Sequence, residues 1–366
     1  MGTSGGTGSG VQRFRESRIA QVMTSSKIGE HPTALFTTGL PILEVALNVE
    51  VMTDNLRPLL SFDGADSPHV THANLLAYKQ GNRGIIHYDV TGAPQEAGVV
   101  LGKLYPDPAR AARVYGIMRS LWDDVYSGLD ALEVPRPLGC IPELAMLVSL
   151  PMPGQPLDAA LRDGRGTHLM ELTASWLHGL HHSAILPNKR LDIGTELVNL
   201  QAWAALVGHR CPASTEQART LAGLLAELAG GLRLEARSPI HKDFHYQHIF
   251  VDGTLGVIDF DEVRLGDPNF DLAHFCAHLY LLGCRTPEVP AEAFARLQDD
   301  FLAAYARRGA WRKDDRFRFF YAYTALKLAK QICTTRGVRP RPDGEERTRQ
   351  ARLVLDEGIA VLREAS

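Results

Sequence analysis

The sequence predicts an α+β chain in two lobes, a small antiparallel β-rich N-terminal lobe and a larger, mainly α-helical C-terminal lobe. Three observations carry this. Residues 70–105 hold three short runs rich in Val, Ile, Leu and Tyr, separated by Gly, Asn and Pro, the pattern of a strand meander. Beyond Pro156 the apolar residues recur mostly at helical spacing,. Between the two, the apolar run Leu144-Ala-Met-Leu-Val-Ser-Leu150 is stopped by Pro151-Met-Pro-Gly-Gln-Pro156. An extended backbone followed by a sharp change of direction suits a hinge. The division expected is a flexible Gly/Ser-rich tail at 1–16, an N-terminal lobe with an extension at 17–146, a hinge at 147–156 and a helical lobe at 157–366.

In the first lobe, strands are expected at Val70–Tyr78, Gly84–Val90 and Gly98–Tyr105, followed by a helix from Ala109 to Asp123 that Pro108 opens,. Residues 17–66 carry apolar patches but no motif with chemistry attached. In the second lobe, helices are expected at Leu157–Arg162, His168–His182, Thr215–Leu232, Asp271–Leu282, Ala291–Arg308, Asp315–Thr335 and Glu345–Glu364. Inside this helical half lies a hairpin. His248–Val251 and Leu255–Ile258 flank Asp252-Gly253, a strong short-range turn signal. Asp243, just ahead of the first strand, and Asp259, just after the second, then come to the same end. Two carboxylates on rigid supports are the best site candidate in the chain.

Composition narrows the function classes. At 366 residues, with 45% hydrophobic and 22% charged residues, the chain is that of an ordinary globular protein,. The net charge of −3 does not favour nucleic acid,. No apolar run approaches the roughly 18 residues of a membrane span, and the N-terminus has no apolar signal core, so a cytoplasmic location is expected. Five scattered cysteines without a CxxC fit a reducing compartment,.

The stretch from Ile240 to Phe275 reads IHKDFHYQHIFVDGTLGVIDFDEVRLGDPNFDLAHF. Its His241-x-Asp243 with position 248 five residues on, its Val257-Ile-Asp-Phe-Asp261 and its Gly266-Asp-Pro-x-x-Asp-Leu-Ala273 resemble, in order and spacing, the aminoglycoside phosphotransferase and choline kinase family, relatives of protein kinases. The resemblance covers roughly residues 70–335, with its specific motifs confined to 241–273,. It implies a two-lobed protein-kinase-like fold whose N-terminal lobe binds nucleotide. The activity implied is ATP- and Mg²⁺-dependent transfer of the γ-phosphoryl group to a hydroxyl of a small molecule.

Residue by residue, the resemblance makes Asp243 the carboxylate that orients or accepts the hydroxyl proton, which suits a reaction limited by positioning. His241 becomes a packing residue of the loop, and Asp259 the metal-holding carboxylate, with Asp261 and Glu262 toward the metal shell or the substrate. Asp271 is expected to cap the following helix and bond back to the catalytic loop. Where the family keeps asparagine, this chain has His248. Imidazole suits Mn²⁺ better than hard Mg²⁺. Three outcomes are open: His248 binds a metal, Gln247 substitutes by a one-residue slip, or the second metal position is lost. Lys103 falls where the family's phosphate-anchoring lysine lies. Its usual glutamate partner is missing from Ala109–Trp122, so Asp107, Asp123, Asp124 or the phosphates alone take that part. Gly81 and Arg83 fall in the loop that covers the nucleotide phosphates. Val148, Ser149, Leu150 and Met152 lie in the adenine-binding hinge segment, and Leu180-His181-His182-Ser183 matches the family's LHxS with His181 packed.

Two rivals remain. Fourteen histidines, including the pairs His245/His248 and His274/His278, suggest a zinc hydrolase, but there is no HExxH. A non-catalytic nucleotide-binding scaffold or sensor would explain the missing helix glutamate and His248, whereas the two retained carboxylates speak for turnover. Between His241 and Asp271 stand seven acidic and two basic residues, which favours a cationic acceptor such as an aminoglycoside or another amine-bearing alcohol.

Overall fold

The computed structural model describes residues 42–60, 67–79, 81–93, 97–161, 166–233, 237–334 and 344–364. The expected tail at 1–16 lies outside them, as do the C-terminal ends expected for the helices at Arg162 and Thr335. The chain forms two compact units, Met1–Asp124 with Val134–Gln155, and Val125–Glu133 with Pro156–Ser366.

The first unit is built on a five-stranded sheet. Its strands are β1 (His69–Lys79), β2 (Arg83–Thr91), β3 (Val99–Leu104), β4 (Pro137–Ile141) and β5 (Met146–Ser149), in the order β1-β2-β3-β5-β4. Every neighbouring pair is antiparallel. Three of these were expected; β4 was not, because a proline opens it and a glycine interrupts its apolar run. Proline is tolerated there at the first position of an edge strand. One face of the sheet is covered by two helices the sequence did not disclose, α1 (Ile42–Leu47) and α2 (Val49–Leu60). Leu43, Met52, Leu56 and Leu60 pack with Ile86, Tyr88, Val100, Leu104, Met146 and Val148 into one core. Met52, Leu56 and Leu60 recur every four residues, so they line one helical face. Each such fully buried side chain contributes about 1.5–3 kcal/mol. Tyr88 crosses this core to donate its hydroxyl to the Ala46 carbonyl at 2.7 Å. The expected helix after β3 is α3 (Pro108–Ser120), capped by Asp107, whose carboxylate accepts the Arg110 N–H at 2.8 Å.

The second unit is mainly helical: α4 (Leu157–Ala160), α5 (Gly166–His181), α6 (Ile193–Arg210), α7 (Thr215–Ala229), α8 (Asn269–Cys284), α9 (Ala291–Arg308), α10 (Asp315–Thr334) and α11 (Gly344–Arg363). Only α6 lacks a counterpart among the expected helices. Its start is set by Asp192, which accepts the N–H groups of Gly194 and Thr195 at 3.2 Å each,. Helices α8 and α10 are buried on nearly all sides and pack on each other, with α11 against both. Threaded among the helices are β6 (Ser238–Ile240), β7 (Ile249–Asp252), β8 (Thr254–Val257) and β9 (Arg264–Gly266). The hairpin β7–β8 pairs Ile249 with Val257 and turns at Gly253, where φ is +75°. It is offset by one residue from the expected strands. A parallel pairing with Leu132–Glu133 holds its other edge. Strands β6 and β9 pair antiparallel so closely that a Cβ at Gly266 would lie 2.4 Å from Ile240 Cδ1. The glycine opening Gly266-Asp-Pro thus leaves room for the Ile240 side chain.

Candidate active site

The loop after β6 is held from below by one carboxylate. Asp271, fully buried in the first turn of α8, accepts the backbone N–H of His241 at 2.6 Å and of Lys242 at 2.8 Å. It also accepts Nε2–H of His181 at 3.1 Å, and His181 Nδ1 in turn takes the Tyr305 hydroxyl at 2.7 Å. Burial pushes the Asp271 carboxyl up, yet its His181 and His241 partners hold it below the ordinary value. The bond back to the loop is therefore present. The cap is not: the residue preceding the helix is Pro268, which caps it with no side chain. Asp271 thus locks Lys242, whose φ of +68° is unusual for a side-chain-bearing residue,.

His241 is a structural residue whose tautomer follows from its partners. Nδ1 accepts the Asp243 N–H at 3.3 Å, and Nε2–H donates to the Ile258 carbonyl at 3.1 Å. One ring therefore ties the backbone of Asp243 to the residue just before Asp259. Burial keeps it neutral. It rests among Trp176, Phe244 and Phe260, with ring centroids at 6.3, 5.9 and 5.5 Å.

Asp243, His248 and Asp259 come together at one end of the β7–β8 hairpin. His248 Nδ1 lies 2.9 Å from the Asp243 carbonyl, which can only accept, so Nδ1 carries the proton,. The lone pair of neutral His248 is then on Nε2, 3.8 Å from Asp259 Oδ2. With the lone pair on Nε2, the imidazole and the carboxylate oxygen can share a divalent cation. Two metal–ligand bonds of about 2.1 Å reach ligand atoms up to about 4.2 Å apart, so these residues fit a divalent ion. Fixing one ring nitrogen on a backbone carbonyl while the other ligates is the usual arrangement for a metal-binding histidine. Asp243, His245 and His248 also offer ligand atoms within 4.8 Å of one another. His245 Nδ1, however, accepts the Gln247 N–H at 3.3 Å, which leaves its proton on Nε2 and no lone pair for a metal. Asp259 itself sits at φ +68° and ψ +67°. Left-handed backbone is uncommon outside glycine, though aspartate adopts it more readily than most side chains.

Three residues around Asp243 escaped the reading of the motif. Lys327 of α10 places Nζ 3.3 Å from Asp243 Oδ1, and His274 of α8 places Nε2 3.6 Å from the same oxygen. Burial would raise the Asp243 carboxyl; Lys327, His274, His245 and His248 together hold it well below the carboxylate range. His274 is itself pushed down to about 4 by burial and by Lys327, and stays neutral. The third is Glu196 of α6, buried, which accepts Lys242 Nζ at 2.6 Å and the Tyr323 hydroxyl. His245 stacks on His278 with centroids 4.5 Å apart, and burial holds both rings neutral. The histidine pairs noted in the sequence thus pack together beside Asp243. Of the neighbouring acids, Glu262 bonds to Arg264 and Asp261 is buried.

The remaining sequence-predicted residues belong to the first unit. Lys103 is half-buried on β3, opposite Ile85 and Leu147, with Nζ 5.6 Å from the Tyr105 ring centroid. Two of the acids suggested as its partner are engaged: Asp107 caps α3, and Asp123 binds Arg119 Nε at 3.1 Å. Gly81 has φ +65° in the turn closed by Asn82 N–H on the Lys79 carbonyl at 2.9 Å, and Arg83 opens β2 opposite Lys79. Val148 and Ser149 are buried on β5, and Met152 is buried beyond it. The N–H of Leu150 is committed to the Arg136 carbonyl at 3.0 Å, so that amide does not serve an adenine edge.

Comparisons with known proteins bear on the family and the fold. The model of the phosphotransferase enzyme family matches residues 95–318. A comparison with curated proteins found no match. Among solved structures, the chain resembles a spectinomycin phosphotransferase in complex with ADP and spectinomycin (13% identity, TM-score 0.57, 84% of this chain and 98% of that one). It also resembles an amicoumacin kinase in complex with AMP-PNP and Ca²⁺ (14%, 0.55, 88% and 99%). A third is the choline kinase of Streptococcus pneumoniae (12%, 0.52, 86% and 98%). At these identities the structures speak for a kinase-like fold alone. The family match runs from β3 through the loop of Asp243, the hairpin and Asp259 into α10, well over half of the sequence, and on that ground the chain belongs to the phosphotransferase enzyme family.

Proposed function

We propose that the protein transfers the γ-phosphoryl group of ATP to a hydroxyl of a small molecule, with a divalent metal ion. The observation that carries this reading is the joining of Asp243 and Asp259 through His248, whose proton is fixed on the Asp243 carbonyl and whose lone pair faces Asp259. Asp243 orients the acceptor hydroxyl. Its depressed carboxyl makes it a weak base, which suits a transfer governed by alignment more than by proton abstraction. Asp259 and His248 hold the metal, which when bound offsets negative charge on the phosphates. The nitrogen ligand favours Mn²⁺ relative to an all-oxygen site that would favour Mg²⁺.

Lys103 anchors phosphates in this reading, and Gly81 with Arg83 lies over them. Val148, Ser149 and Met152 line the adenine, with Leu150 contributing through its side chain or carbonyl. The soluble location expected for such an enzyme is the cytoplasm; among the described residues no helix is long and apolar enough to cross a membrane.

The acidic surplus supports a cationic acceptor less than its count suggests. Asp271 is spent on the loop, Glu262 on Arg264, and Asp267 accepts from Asn269 and Arg316. The acceptor is therefore sought across amino alcohols, aminoglycosides and neutral sugars alike. The test is a mass-spectrometric screen for the gain of one phosphate, with Mg²⁺ and Mn²⁺ in parallel. A phosphorylated product that vanishes in Asp243→Asn is expected. Nucleotide binding without turnover on the whole panel, with either metal, would instead make the protein a scaffold or sensor.

A further inference from the structure

Helix α10 turns one polar face toward the loop of Asp243, although its surroundings are apolar. Leu326 and Leu328 are buried, as are most residues of 317–333. Tyr323 and Thr324 lie four and three residues before Lys327, each within one helical turn of it,. Tyr323 donates to Glu196, which holds Lys242; the Thr324 hydroxyl lies 3.3 Å from His274 Nδ1, and His274 Nε2 faces Asp243; Lys327 reaches Asp243 itself. Burying an ammonium within an apolar helix is costly unless it is paired. Here the side chain is 18% exposed and is paired with a carboxylate that is 36% exposed. Among the described residues Asp243 is the only hydrogen-bond partner of Lys327, so two of its three N–H donors remain for an incoming group.

We propose that Lys327 is a catalytic residue of this phosphotransferase, contacting the phosphoryl group in transit. The inference rests on the reading of Asp243 given above. A hydroxyl bonded to Asp243 stands about 2.7 Å from its oxygens, and the phosphorus a further ~3 Å on in a near-attack arrangement. An ammonium 3.3 Å from the same carboxylate lies within reach of the equatorial phosphoryl oxygens, where the charge of the transition state is spread,. In the step, the acceptor oxygen bonds to the γ-phosphorus as the bond to the β,γ-bridging oxygen breaks. The electron pair of that bond leaves on ADP, and the hydroxyl proton passes by way of Asp243 to solvent. Lys327 keeps one N–H on Asp243 and gives another to a phosphoryl oxygen. It thereby fixes the base and offsets charge with one group. The seat on α10, with Tyr323 and Thr324 committed to Glu196 and His274 one turn before it, keeps the ammonium there without reorganisation,.

The test separates binding of the nucleotide from binding of the phosphoryl group. Affinities for ADP alone and for ADP with aluminium fluoride, a mimic of the phosphoryl group in flight, are measured by calorimetry on the full chain with Mn²⁺. The wild type is expected to bind the fluoride complex at least ~10²-fold more tightly than ADP. Lys327→Met should bind ADP within about threefold of wild type but lose ~10²-fold of the tightening, the scale seen when one donor to a transition-state anion is removed. Lys327→Arg should keep most of it. Lys327→Gln, which preserves a hydrogen bond to Asp243 without the charge, serves where the methionine variant does not fold, and should behave as Met does. Retention of the tightening in folded Lys327→Met or Lys327→Gln would reduce Lys327 to a structural counter-ion and overturn the proposal. A wild type that binds ADP in neither form overturns the kinase reading, and this inference falls with it.

Discussion

Asp271→Asn should cost the helical unit about 3–5 kcal/mol and loosen the catalytic loop without touching substrate. The carboxylate serves three donors from inside the core: two backbone N–H groups of the loop and the imidazole of His181. Asparagine keeps one acceptor oxygen but turns an NH₂ toward donors that Oδ1 and Oδ2 now share. Hydrogen bonds to a charged group are worth about 1.5–3 kcal/mol each, and a buried donor left unsatisfied costs about 1–3 kcal/mol. One charge-assisted bond lost and one buried donor left facing the NH₂ together give about 3–5 kcal/mol. Equilibrium urea unfolding followed by tryptophan fluorescence reads it, since Trp176, Trp203 and Trp311 all lie in this unit. The pH dependence supplies a second check. Because the folded carboxyl is held below its ordinary value, its contribution is fully present above the unfolded value near 4 and fades as pH falls through the lower folded value. The gap between wild type and variant should therefore be widest at neutral pH and close in acid. A neutral-pH gap under about 1 kcal/mol, or one that does not narrow in acid, would refute the role assigned to Asp271.

Asp243→Asn should leave ADP affinity near wild type and lower turnover by at least ~10²-fold in a coupled ADP-release assay, because an amide oxygen cannot take the hydroxyl proton onward. His248→Asn substitutes an oxygen ligand for a nitrogen. Metal titrations of the ADP complex should then show the Mn²⁺-to-Mg²⁺ affinity ratio falling by ~10-fold or more; an unchanged ratio would remove His248 from the metal shell. Gly266→Ala drives a methyl group into Ile240 Cδ1 and should destabilise by about 1–3 kcal/mol in urea. Adding Ile240→Val removes the struck atom and should recover most of that loss; a double variant no more stable than the single one would locate the strain elsewhere.

How much of the fold could be read depended on whether an element announces itself locally. The three strands of 70–105 and the helices α8 to α11 did, since their apolar spacing is regular and Pro, Gly or Asp marks their ends. Helix α2 did not. Its core residues Met52, Leu56 and Leu60 keep the helical repeat, but Pro58 lies within the last turn and argues locally against a helix,. There the packing of α2 on the sheet overrides the local signal. Strand β4 was hidden in the same way by Pro137 and Gly139, and a Cβ at Gly139 would lie 2.6 Å from Leu59 Cδ2 of α2, so the glycine lets that side chain pack on the strand. These are conflicts between propensity and tertiary contact, and the contact prevails.

The site divides along a different line. What lies within the 36 residues from Ile240 to Phe275 was legible as an arrangement, because Asp243, His248 and Asp259 flank a single β-hairpin and sequence spacing fixes their geometry. What reaches Asp243 from elsewhere was not. Lys327 arrives from a helix more than eighty residues on, and Glu196, which holds the adjoining Lys242, from one almost fifty residues before. Each nonetheless left a physical trace. A lysine flanked by Leu326 and Leu328 interrupts a helix that is otherwise apolar around most of its circumference, and a charge in such a place requires a partner of opposite sign. A sequence cannot say which partner, because that depends on how α10 crosses the loop. The structure answers with Asp243. The acid held in place by the motif is thus set, in its charge state and its direction, by a helix outside the motif. Family spacing singles out a carboxylate; the neighbours that set its charge and direction are read only from three-dimensional contact.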